Sequence, residues 1–442
     1  MAPFVEPVNP ALADPVMTSM NLLNEISERF PHAVSFAPGR PHPGTFVSED
    51  LHRYLHVYER HVGTKAAGNH LFQYGRTKGI VTELVAANLA RDENILADHE
   101  TIVITNGCQE GLFLTMLALR ADERDVLLAT VPMYVGVSGA ARLVNLPVVP
   151  VESGRDGIDL ADLTAKIHKA RRDGLRPRAC YLVPDFANPT GLSLDLSTRH
   201  QLLDLAAEQG ILLLEDNPYG LFGRRMPTLR SLDRHGVVVY LGSYAKSVMP
   251  GARMGYVVAP QPAPAGTLAD EIAKLKSMVS VNTSPIAQAV VGGRLFECGF
   301  DLRAANSEAA AFYSRNLDCL SRGLERRFPA SPQVTWTRPH GGFFIVLTVP
   351  FPVDDSVLEH SARRHEVIWT PMCHFYGGLG GHHQLRLSCS LLTPDQIDSG
   401  LDRLAALIDE LGTASPRRHD TGLRESDSNQ NTTRTHWKEW TQ

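Results

Sequence analysis

The chain has 442 residues, of which 43% are hydrophobic and 21% are charged, and its net charge is −5. These are ordinary values for a globular protein, and without a long basic run they do not indicate a nucleic-acid-binding surface. No segment approaches the roughly 20 apolar residues of a membrane-spanning helix. The first residues lack the basic stretch and apolar run of a secretion signal, and the six scattered cysteines form no C-x-x-C pair. We therefore expect a reducing, cytoplasmic setting.

Between residues 100 and 260, short apolar runs alternate with amphipathic stretches. The runs predict strands at Thr101–Thr105, Asp125–Thr130, Pro147–Val151, Ala179–Val183, Ile211–Leu214, Val237–Leu241 and Met254–Val258. Helical periodicity is present at Gln109–Arg120, Asp159–Arg172 and Thr198–Gln209. Continuous apolar strands separated by helices indicate an α/β domain with a largely parallel sheet that is covered on both faces.

After Pro285 the pattern changes to that of a smaller α+β domain. It predicts helices at Leu302–Arg327 and Pro394–Leu411, and strands at Val334–Thr337, Gly342–Val349, Glu366–Trp369 and Gln384–Ser388. We divide the chain into an N-terminal arm (1–45) that contributes to the small domain and the site, a large domain (46–294) and a small domain (295–412). The Ser/Thr/Asn/Arg-rich tail (413–442) is predicted to be disordered.

The most informative segment runs from Ser243 to Arg253, directly after an apolar strand and among small residues. A desolvated lysine has a lowered pKa and can form an imine with an aldehyde cofactor, which makes Lys246 a candidate. Ser243 and Arg253 offer a hydroxyl and a guanidinium to a phosphate, and Pro250 and Gly251 shape the turn between them. A lone loop lysine is more often a surface residue, so the neighbours carry this interpretation.

Other polar or flat side chains follow predicted strands. Asp216 comes after Ile211–Leu214, where its carboxylate could keep a pyridine nitrogen protonated, although a lone aspartate is as often a helix cap. Asn188 lies in a turn after another strand. Gly107 joins a strand to a helix, a junction that suits a phosphate, although βα turns commonly contain glycine. Tyr134 could stack on a flat ring or could be an ordinary half-buried tyrosine.

Together and in this order, the motifs resemble the fold-type I pyridoxal-phosphate enzymes, and among them the class I/II aminotransferases of the kynurenine/2-aminoadipate branch. The resemblance runs from Gly39 to Arg386, which is nearly the whole chain except the tail. It implies a large domain with a mostly parallel mixed sheet covered by helices, and a smaller α+β domain. It also implies pyridoxal 5'-phosphate as cofactor, no metal, a role in amino-acid metabolism or biosynthesis, and a homodimer with shared active sites.

The resemblance assigns cofactor roles residue by residue. Lys246 would hold the cofactor and move the substrate proton, Asp216 would pair with the pyridine nitrogen, and Tyr219 would hydrogen-bond the ring hydroxyl together with Asn188. Of these, Lys246, Asp216 and Tyr219 are the predicted catalytic residues. Tyr134 would stack on the ring. The implied phosphate contacts are Gly107, Cys108, Gln109, Ser243, Arg253 and, from the neighbouring subunit, Tyr74.

On the substrate side, the resemblance implies that Arg386 clamps the α-carboxylate, with Asn188, Gly39 and Arg40 also in contact with substrate. Without the upstream motifs, Arg386 would be interpreted as an exposed arginine at a strand end. Arg40 is an unusual residue for the family position: it either meets a polar or acidic substrate group or points into solvent. Side-chain selectivity is expected to depend on Gly39, Arg40 and the loop with Phe375 and Tyr376.

Two residues depart from the family pattern. Cys108 replaces the Ser or Thr of close relatives, and Ala245 replaces a frequent Ser. Both changes are expected to weaken hydroxyl contacts to the phosphate. The stretches Ser19–Asn21 and Phe72–Gly79 also resemble arylglycine transaminases, such as those that make dihydroxyphenylglycine.

The expected reaction moves an amino group between an L-amino acid, aromatic or arylglycine, and a 2-oxo acid by ping-pong kinetics. A lyase, decarboxylase or oxidase is the alternative, because it could share every cofactor residue and differ only in substrate-side groups. A non-catalytic binder would require an idle Lys246. A transcription regulator is not expected, because the resemblance begins near Gly39 and leaves no room for a preceding winged-helix domain.

Overall fold

The computed structural model describes residues 9–14, 16–43, 47–154, 157–264, 266–329, 331–377 and 379–413. The predicted disordered tail therefore lies outside the described residues, apart from its first residue. So do the first eight residues of the N-terminal arm.

The strands of the described residues fall between Val34 and Ser388. Their bounds are β1 Val34–Ser35, β2 Ile102–Asn106, β3 Asp125–Val131, β4 Val148–Glu152, β5 Arg176–Leu182, β6 Leu212–Asp216, β7 Val238–Ser243, β8 Met254–Val258, β9 Pro262–Ala263, β10 Gly266–Thr267, β11 Thr335–Trp336, β12 Phe344–Thr348, β13 Val367–Ile368, β14 Thr370–Pro371 and β15 Gln384–Ser388.

The helices begin in the N-terminal arm and end with the last described residue. Their bounds are α1 Val16–Arg29, α2 Ser48–Val62, α3 Thr64–Leu71, α4 Thr82–Glu93, α5 Cys108–Leu119, α6 Val135–Leu143, α7 Leu160–Arg172, α8 Leu196–Gln209, α9 Leu229–Leu232, α10 Leu268–Val279, α11 Pro285–Glu297, α12 Leu302–Ala305, α13 Ser307–Arg327, α14 Asp355–His360 and α15 Pro394–Thr413. Within the described ranges, none of these helices combines the length and apolar character needed to cross a bilayer.

A mixed, mostly parallel sheet forms the centre of the large domain. In the described part of the chain it has seven strands in the order β2-β8-β7-β6-β5-β3-β4, and β8 is antiparallel to both of its neighbours. All strands predicted between residues 100 and 260 belong to this sheet. The carboxyl ends of the remaining strands consequently lie on one edge, together with the amino end of β8. This edge is where open α/β sheets bind ligands.

Helices cover both faces of this sheet, because successive strand residues point to opposite sides. In β6, Leu214 packs with residues of α5, α6 and α10, whereas Leu213 packs with residues of α7 and α8. The buried residues of β6 are apolar until its last two, Glu215 and Asp216. The predicted α/β class with a doubly covered sheet is confirmed.

The second region is built on a four-stranded antiparallel sheet, in the order β11-β12-β15-β14, with α13 and α15 packed against it. Two predictions here needed correction. The predicted strand Glu366–Trp369 is only β13, and it pairs in parallel with β1 of the arm instead of joining this sheet. The predicted helix Leu302–Arg327 is interrupted at Asn306, which ends α12 in a non-helical conformation, and its side-chain amide joins its backbone amide in donating to the Leu302 carbonyl.

The N-terminal arm crosses from one region to the other. The Phe36 amide donates to the Ile368 carbonyl, and the Phe36 carbonyl accepts from the Ser388 amide, which ties the arm to the ends of β13 and β15. Asp14 forms an ion pair with Arg142 of α6, 2.7 Å apart, in the large region. The arm is thus bound to both regions. The domain boundaries at residues 45 and 294 stay predictions.

Candidate active site

A cavity of about 260 Å³ opens at the ligand-binding edge of the central sheet. Asp216 is the last residue of β6 and Ser243 the last residue of β7, and Lys246 follows three residues later. Tyr134 directly precedes α6, and Asn188 follows β5. Parallel strands deliver their ends to the same edge, so residues that are distant in sequence meet in this cavity.

Lys246 lies in the cavity lining, where its amine makes one hydrogen bond within the described part of the chain. Its Nζ donates to the Gly39 carbonyl over 2.7 Å and lies 5.9 Å from the centre of the Tyr219 ring. Burial, together with the positive charges of Arg253 and Arg386, lowers the pKa of Lys246 to about 8, against the opposing effect of Asp216. A free amine, which can attack a carbonyl, is therefore accessible near neutral pH.

Asp216 is buried on the floor of the same cavity, with both carboxylate oxygens in contact with donors. The Tyr181 hydroxyl donates to Oδ2 over 2.7 Å, and the Cys108 thiol donates to Oδ1 over 3.4 Å. Burial raises the pKa of Asp216 to about 6, against the opposing effect of these two donors and of Lys246. The site therefore favours a cationic partner for this carboxylate.

A phosphate-sized anion would find donors at the start of α5. This helix begins after Gly107 without a side-chain cap, so its first N–H groups remain available to an anion. Arg253 precedes β8 in a left-handed conformation (φ 50°), and a Cβ at Gly107 would come within 2.5 Å of its Nη2. Only glycine, here with φ 76°, allows this close approach. Ser243 and Gln109 line the cavity beside them.

The predicted ring contacts also meet in the cavity. Tyr134 and Tyr219 line it, and burial raises the pKa of both hydroxyls. A hydrogen bond with Asn188 opposes part of this rise for Tyr219. The Asn188 Oδ1 accepts from Arg386 Nη1 over 2.6 Å. Tyr219, Asn188 and Arg386 therefore form one connected polar chain along the cavity wall.

Arg386 occupies the substrate side of the cavity and is only 3% exposed. Its Nη2 donates to the Ala37 carbonyl over 2.5 Å and to the Thr370 hydroxyl over 3.2 Å. The rings of Phe344 and Phe375 lie 4.7 Å and 5.0 Å from its guanidinium carbon. Its Nε has no partner within the described residues, and burial lowers the pKa of the guanidinium to about 10. A carboxylate would supply the missing partner.

Three predicted residues are placed differently from the rest. Tyr74 is 86% exposed and does not line this chain's cavity. Arg40 lines the cavity but its side chain is exposed. The Cys108 thiol contacts the Asp216 carboxylate. In this position the side chain is engaged with the carboxylate, and a weaker contact to the phosphate stays an expectation. The Ala245 amide donates to the Ser243 hydroxyl oxygen over 3.2 Å.

Sequence reasoning missed the residues that support the predicted ones. Tyr181 lies within a predicted apolar strand, and no sequence pattern indicated that its hydroxyl would contact Asp216. Thr370 belongs to a two-residue strand that was not predicted. The Ser390 hydroxyl, fully buried, lies 2.7 Å from the Arg40 carbonyl and 3.2 Å from the Pro38 carbonyl, and so holds the segment around Gly39.

The residues present fit a pyridoxal-phosphate cofactor. The cavity combines a lysine amine of lowered pKa, a buried carboxylate, an uncapped helix start beside a guanidinium, and tyrosine rings. These groups match an aldehyde, a pyridine nitrogen, a phosphate and a flat ring, respectively.

Comparison with known proteins agrees with this geometry. Residues 54–404 match the family described as aminotransferase class I and II. The chain is 53% identical over 412 residues to the (S)-3,5-dihydroxyphenylglycine transaminase of Amycolatopsis orientalis, a match covering 91% of this chain and 94% of that protein. It is 31% identical to a 2-aminoadipate transaminase of Thermus thermophilus, over 86% of this chain and 90% of that protein.

Solved structures of aminotransferases have the same fold. The kynurenine aminotransferase of Pyrococcus horikoshii, in complex with PMP, superposes with a TM-score of 0.78 at 27% identity, covering 88% of this chain and 94% of that chain. The α-aminoadipate aminotransferase of Thermus thermophilus, complexed with a phosphopyridoxyl-leucine, gives 0.77 at 28% identity, covering 91% and 97%.

The chain therefore belongs to the class I and II aminotransferases, with the fold of the fold-type I pyridoxal-phosphate enzymes. It is a pyridoxal-phosphate-dependent enzyme that transfers an amino group between an amino acid and a 2-oxo acid. Among the relatives above, the one with the highest identity is the dihydroxyphenylglycine transaminase. The predicted family, cofactor and enzyme class are confirmed, and these named relatives favour transfer over the lyase, decarboxylase and oxidase alternatives.

Proposed function

We propose that this aminotransferase acts on an arylglycine of the (S)-3,5-dihydroxyphenylglycine type, exchanging its amino group with that of a 2-oxo acid partner. The 53% identity to the transaminase named for that amino acid supports this substrate class. The observation that carries the proposal is the aromatic surface beside the carboxylate clamp. Phe344 and Phe375 lie within 5.0 Å of the Arg386 guanidinium carbon.

This arrangement suits an arylglycine because its ring is bonded directly to the α-carbon. A ring in that position must lie close to the α-carboxylate, whereas the ring of tyrosine is one carbon farther away. Apolar side chains of Leu112, Val135 and Val183 complete the lining on the cavity side. Arg40, exposed at the cavity, could meet a phenolic hydroxyl of the substrate ring.

Within this proposal each residue has a physical task. The bound cofactor supplies an electron sink for the substrate α-carbon. Lys246, with its pKa lowered to about 8, carries the proton to and from that carbon, because its amine is neutral in about one molecule in ten at pH 7. Asp216 would hold the ring nitrogen and favour its protonated form, and Tyr219 and Asn188 would donate hydrogen bonds to the ring oxygen.

Arg386 orients the substrate. Its guanidinium is held by Ala37, Asn188 and Thr370 and is flanked by aromatic rings, so it presents a fixed fork to the α-carboxylate. Fixing the carboxylate limits rotation about the α-carbon and keeps the breaking C–H bond within reach of Lys246. This is a positioning effect.

A half-reaction screen tests the substrate class. The purified holoenzyme is mixed with one amino acid at a time, and the conversion of the cofactor to its pyridoxamine form is followed together with keto-acid release. We expect (S)-3,5-dihydroxyphenylglycine and related arylglycines to react with higher kcat/KM than tyrosine, kynurenine or 2-aminoadipate. Faster reaction of 2-aminoadipate than of any arylglycine would contradict the proposed substrate, and release of ammonia or carbon dioxide would contradict transfer.

We also propose a homodimer with shared active sites, in a cytoplasmic setting. Phe72, Tyr74 and Met278 are each more than 80% exposed, and Val281 and Ile286 are about half exposed. Asn282 donates to the Gly75 carbonyl over 3.5 Å, which brings the two segments together into one apolar surface. Exposed apolar surfaces of this kind are typical of protein interfaces. The six cysteines, all within the described ranges, are free thiols, in keeping with a reducing compartment.

Mixed dimers test the shared site. Chains with Lys246→Ala and chains with Tyr74→Ala are each expected to be poorly active, but a mixed dimer would have one intact site, formed by Lys246 of one chain and Tyr74 of the other. Random mixing of the two variants should then restore about one quarter of the wild-type activity. No recovery in a mixture shown to exchange subunits would argue against the contribution of Tyr74 across the interface.

A further inference from the structure

Two histidines and one glutamate come together on the small-domain side, and none of them lines the active-site cavity. His360 Nε2 lies 3.0 Å from Glu410 Oε1, and His365 Nε2 lies 3.0 Å from Glu410 Oε2. One candidate ligand atom from each residue falls within 4.8 Å of the others. The side chains are partly buried, with exposed fractions of 39%, 12% and 36% for His360, His365 and Glu410.

A local distortion of the helix creates this arrangement. His360 ends α14, and the next residues, Ser361–His365, form a π-helical turn. In an α-helix, residues five apart point about 140° away from each other. In a π-turn the i and i+5 positions are bonded and lie on the same side, so both imidazoles face Glu410 on α15. Turns of this kind occur often at functional sites.

We propose that His360, His365 and Glu410 bind one divalent transition-metal ion, with Zn²⁺ as the best match. Two imidazole nitrogens and one carboxylate oxygen form a common three-ligand set for zinc, and the partial exposure leaves room for water as a fourth ligand. Tetrahedral bonds of ordinary length hold ligand atoms about 3.3 Å apart, so small side-chain rotations convert the observed distances into a coordination shell. Arg364, whose Nε lies 3.2 Å from Glu410 Oε2, is 68% exposed and can move into solvent.

The ion would join two elements that are distant in sequence. It would fasten the end of α15 to the π-turn, directly before Glu366, whose carbonyl accepts from the Val34 amide of the N-terminal arm. The expected role is structural: binding stabilises the folded state and leaves the transfer reaction unchanged. The inference is independent of the substrate proposed above.

Zinc binding can be measured on the holoenzyme. After dialysis against buffer containing ZnCl₂ and then against metal-free buffer, we expect about one zinc ion per chain by elemental analysis, and a Tm increase of roughly 3–5 °C at saturating zinc. His365→Gln and Glu410→Gln should lose both the bound ion and the Tm shift, with unchanged kcat. His200→Gln, which removes an exposed helical histidine outside the cluster, should behave like the wild type.

Each outcome decides the proposal. Failure of the wild type to retain zinc would overturn it, and so would equal zinc retention by His365→Gln, Glu410→Gln and the wild type, because the ion would then bind elsewhere, for instance at a thiol. The Glu410→Gln variant is nearly isosteric and keeps hydrogen bonds to the imidazoles. Should His365→Gln fold poorly, Glu410→Gln alone still tests the site.

Discussion

The two sides of the active site are built in different ways. On the cofactor side, Asp216, Ser243, Lys246 and Arg253 lie at or near the ends of neighbouring strands, and Gly107 and Tyr134 directly precede the helices α5 and α6. On the substrate side, Arg386 is held by Asn188 and Ala37, which are 198 and 349 residues away in sequence. A side made of strand ends can be recognised as a local motif, whereas a side made of three distant segments exists only in the folded protein.

The electrostatics of the two sides also differ. The cofactor side buries opposite charges together, with the pKa of Lys246 lowered to about 8 and that of Asp216 raised to about 6, both chiefly by burial. On the substrate side, Arg386 has neutral partners among the described residues, and burial lowers its pKa to about 10. On the cofactor side, the charges of Lys246 and Asp216 oppose each other, whereas the buried charge of Arg386 is compensated only when an anionic substrate group binds.

The largest effect is expected on the cofactor side. Lys246→Ala should lower the single-turnover rate with an amino acid roughly 10⁴-fold, because it removes the group that we propose to move the proton. Stopped-flow absorbance with the reconstituted enzyme measures this rate. Lys274→Ala, at an exposed lysine of α10, serves as the control and should be unaffected. A loss of less than tenfold in Lys246→Ala would show that another group carries the proton.

Arg386→Lys tests the substrate side separately. Lysine keeps the charge but loses the planar fork, so kcat/KM should fall about 10- to 150-fold, the equivalent of one charge-assisted hydrogen bond. The visible spectrum of the bound cofactor should change little, because lysine keeps the positive charge that Arg386 places beside Asn188 and Lys246. Steady-state kinetics and absorbance spectra on the same preparation check both expectations. An altered spectrum would mean that the two sides are not separable.

If Lys246 binds the cofactor as proposed, the pH dependence of cofactor uptake should report on its amine. Only the neutral amine attacks an aldehyde, and burial lowers the pKa of this lysine to about 8. The uptake rate of the apoprotein should therefore fall about tenfold per pH unit below pH 8 and level off above it. Absorbance after mixing with pyridoxal phosphate measures the rate. Free N-acetyl-lysine is the comparison, and its rate should continue to rise toward pH 10. The same continued rise in the protein would contradict the lowered pKa.

The smallest effect is expected for Ser390, which contacts the backbone of the segment around Gly39. Ser390→Ala removes the hydroxyl that lies within hydrogen-bonding distance of the Arg40 and Pro38 carbonyls on either side of Gly39. We expect KM for the amino donor to rise about 2- to 10-fold, with kcat nearly constant, because one neutral hydrogen bond is lost. Ser197→Ala, at an exposed serine of α8, is the matched control. A fall in kcat without a change in KM would refute a positioning role.

The sequence patterns predicted the large sheet well for a physical reason. Strands such as Met254–Val258 are buried on both faces, so their continuous apolar runs stand out from the amphipathic helices between them. Gln384–Ser388 shows the other strand pattern, an alternation of polar and apolar residues, and its predicted bounds match the structure. The N-terminal helices and the short strands β1 and β14 had no comparable pattern. Their residues are placed by pairing with partners far away in sequence.

Local sequence alone determined which residues could do the chemistry. A lysine between a serine and an arginine after an apolar strand, and an aspartate at another strand end, are recognisable because backbone geometry puts strand ends on one edge of a sheet. Only the tertiary structure decided that the Cys108 thiol and the Tyr181 hydroxyl meet Asp216, and that Arg386 is fixed by the N-terminal arm. Such contacts join segments whose separation along the chain carries no periodic signal, so they become visible only when the packed core brings them together.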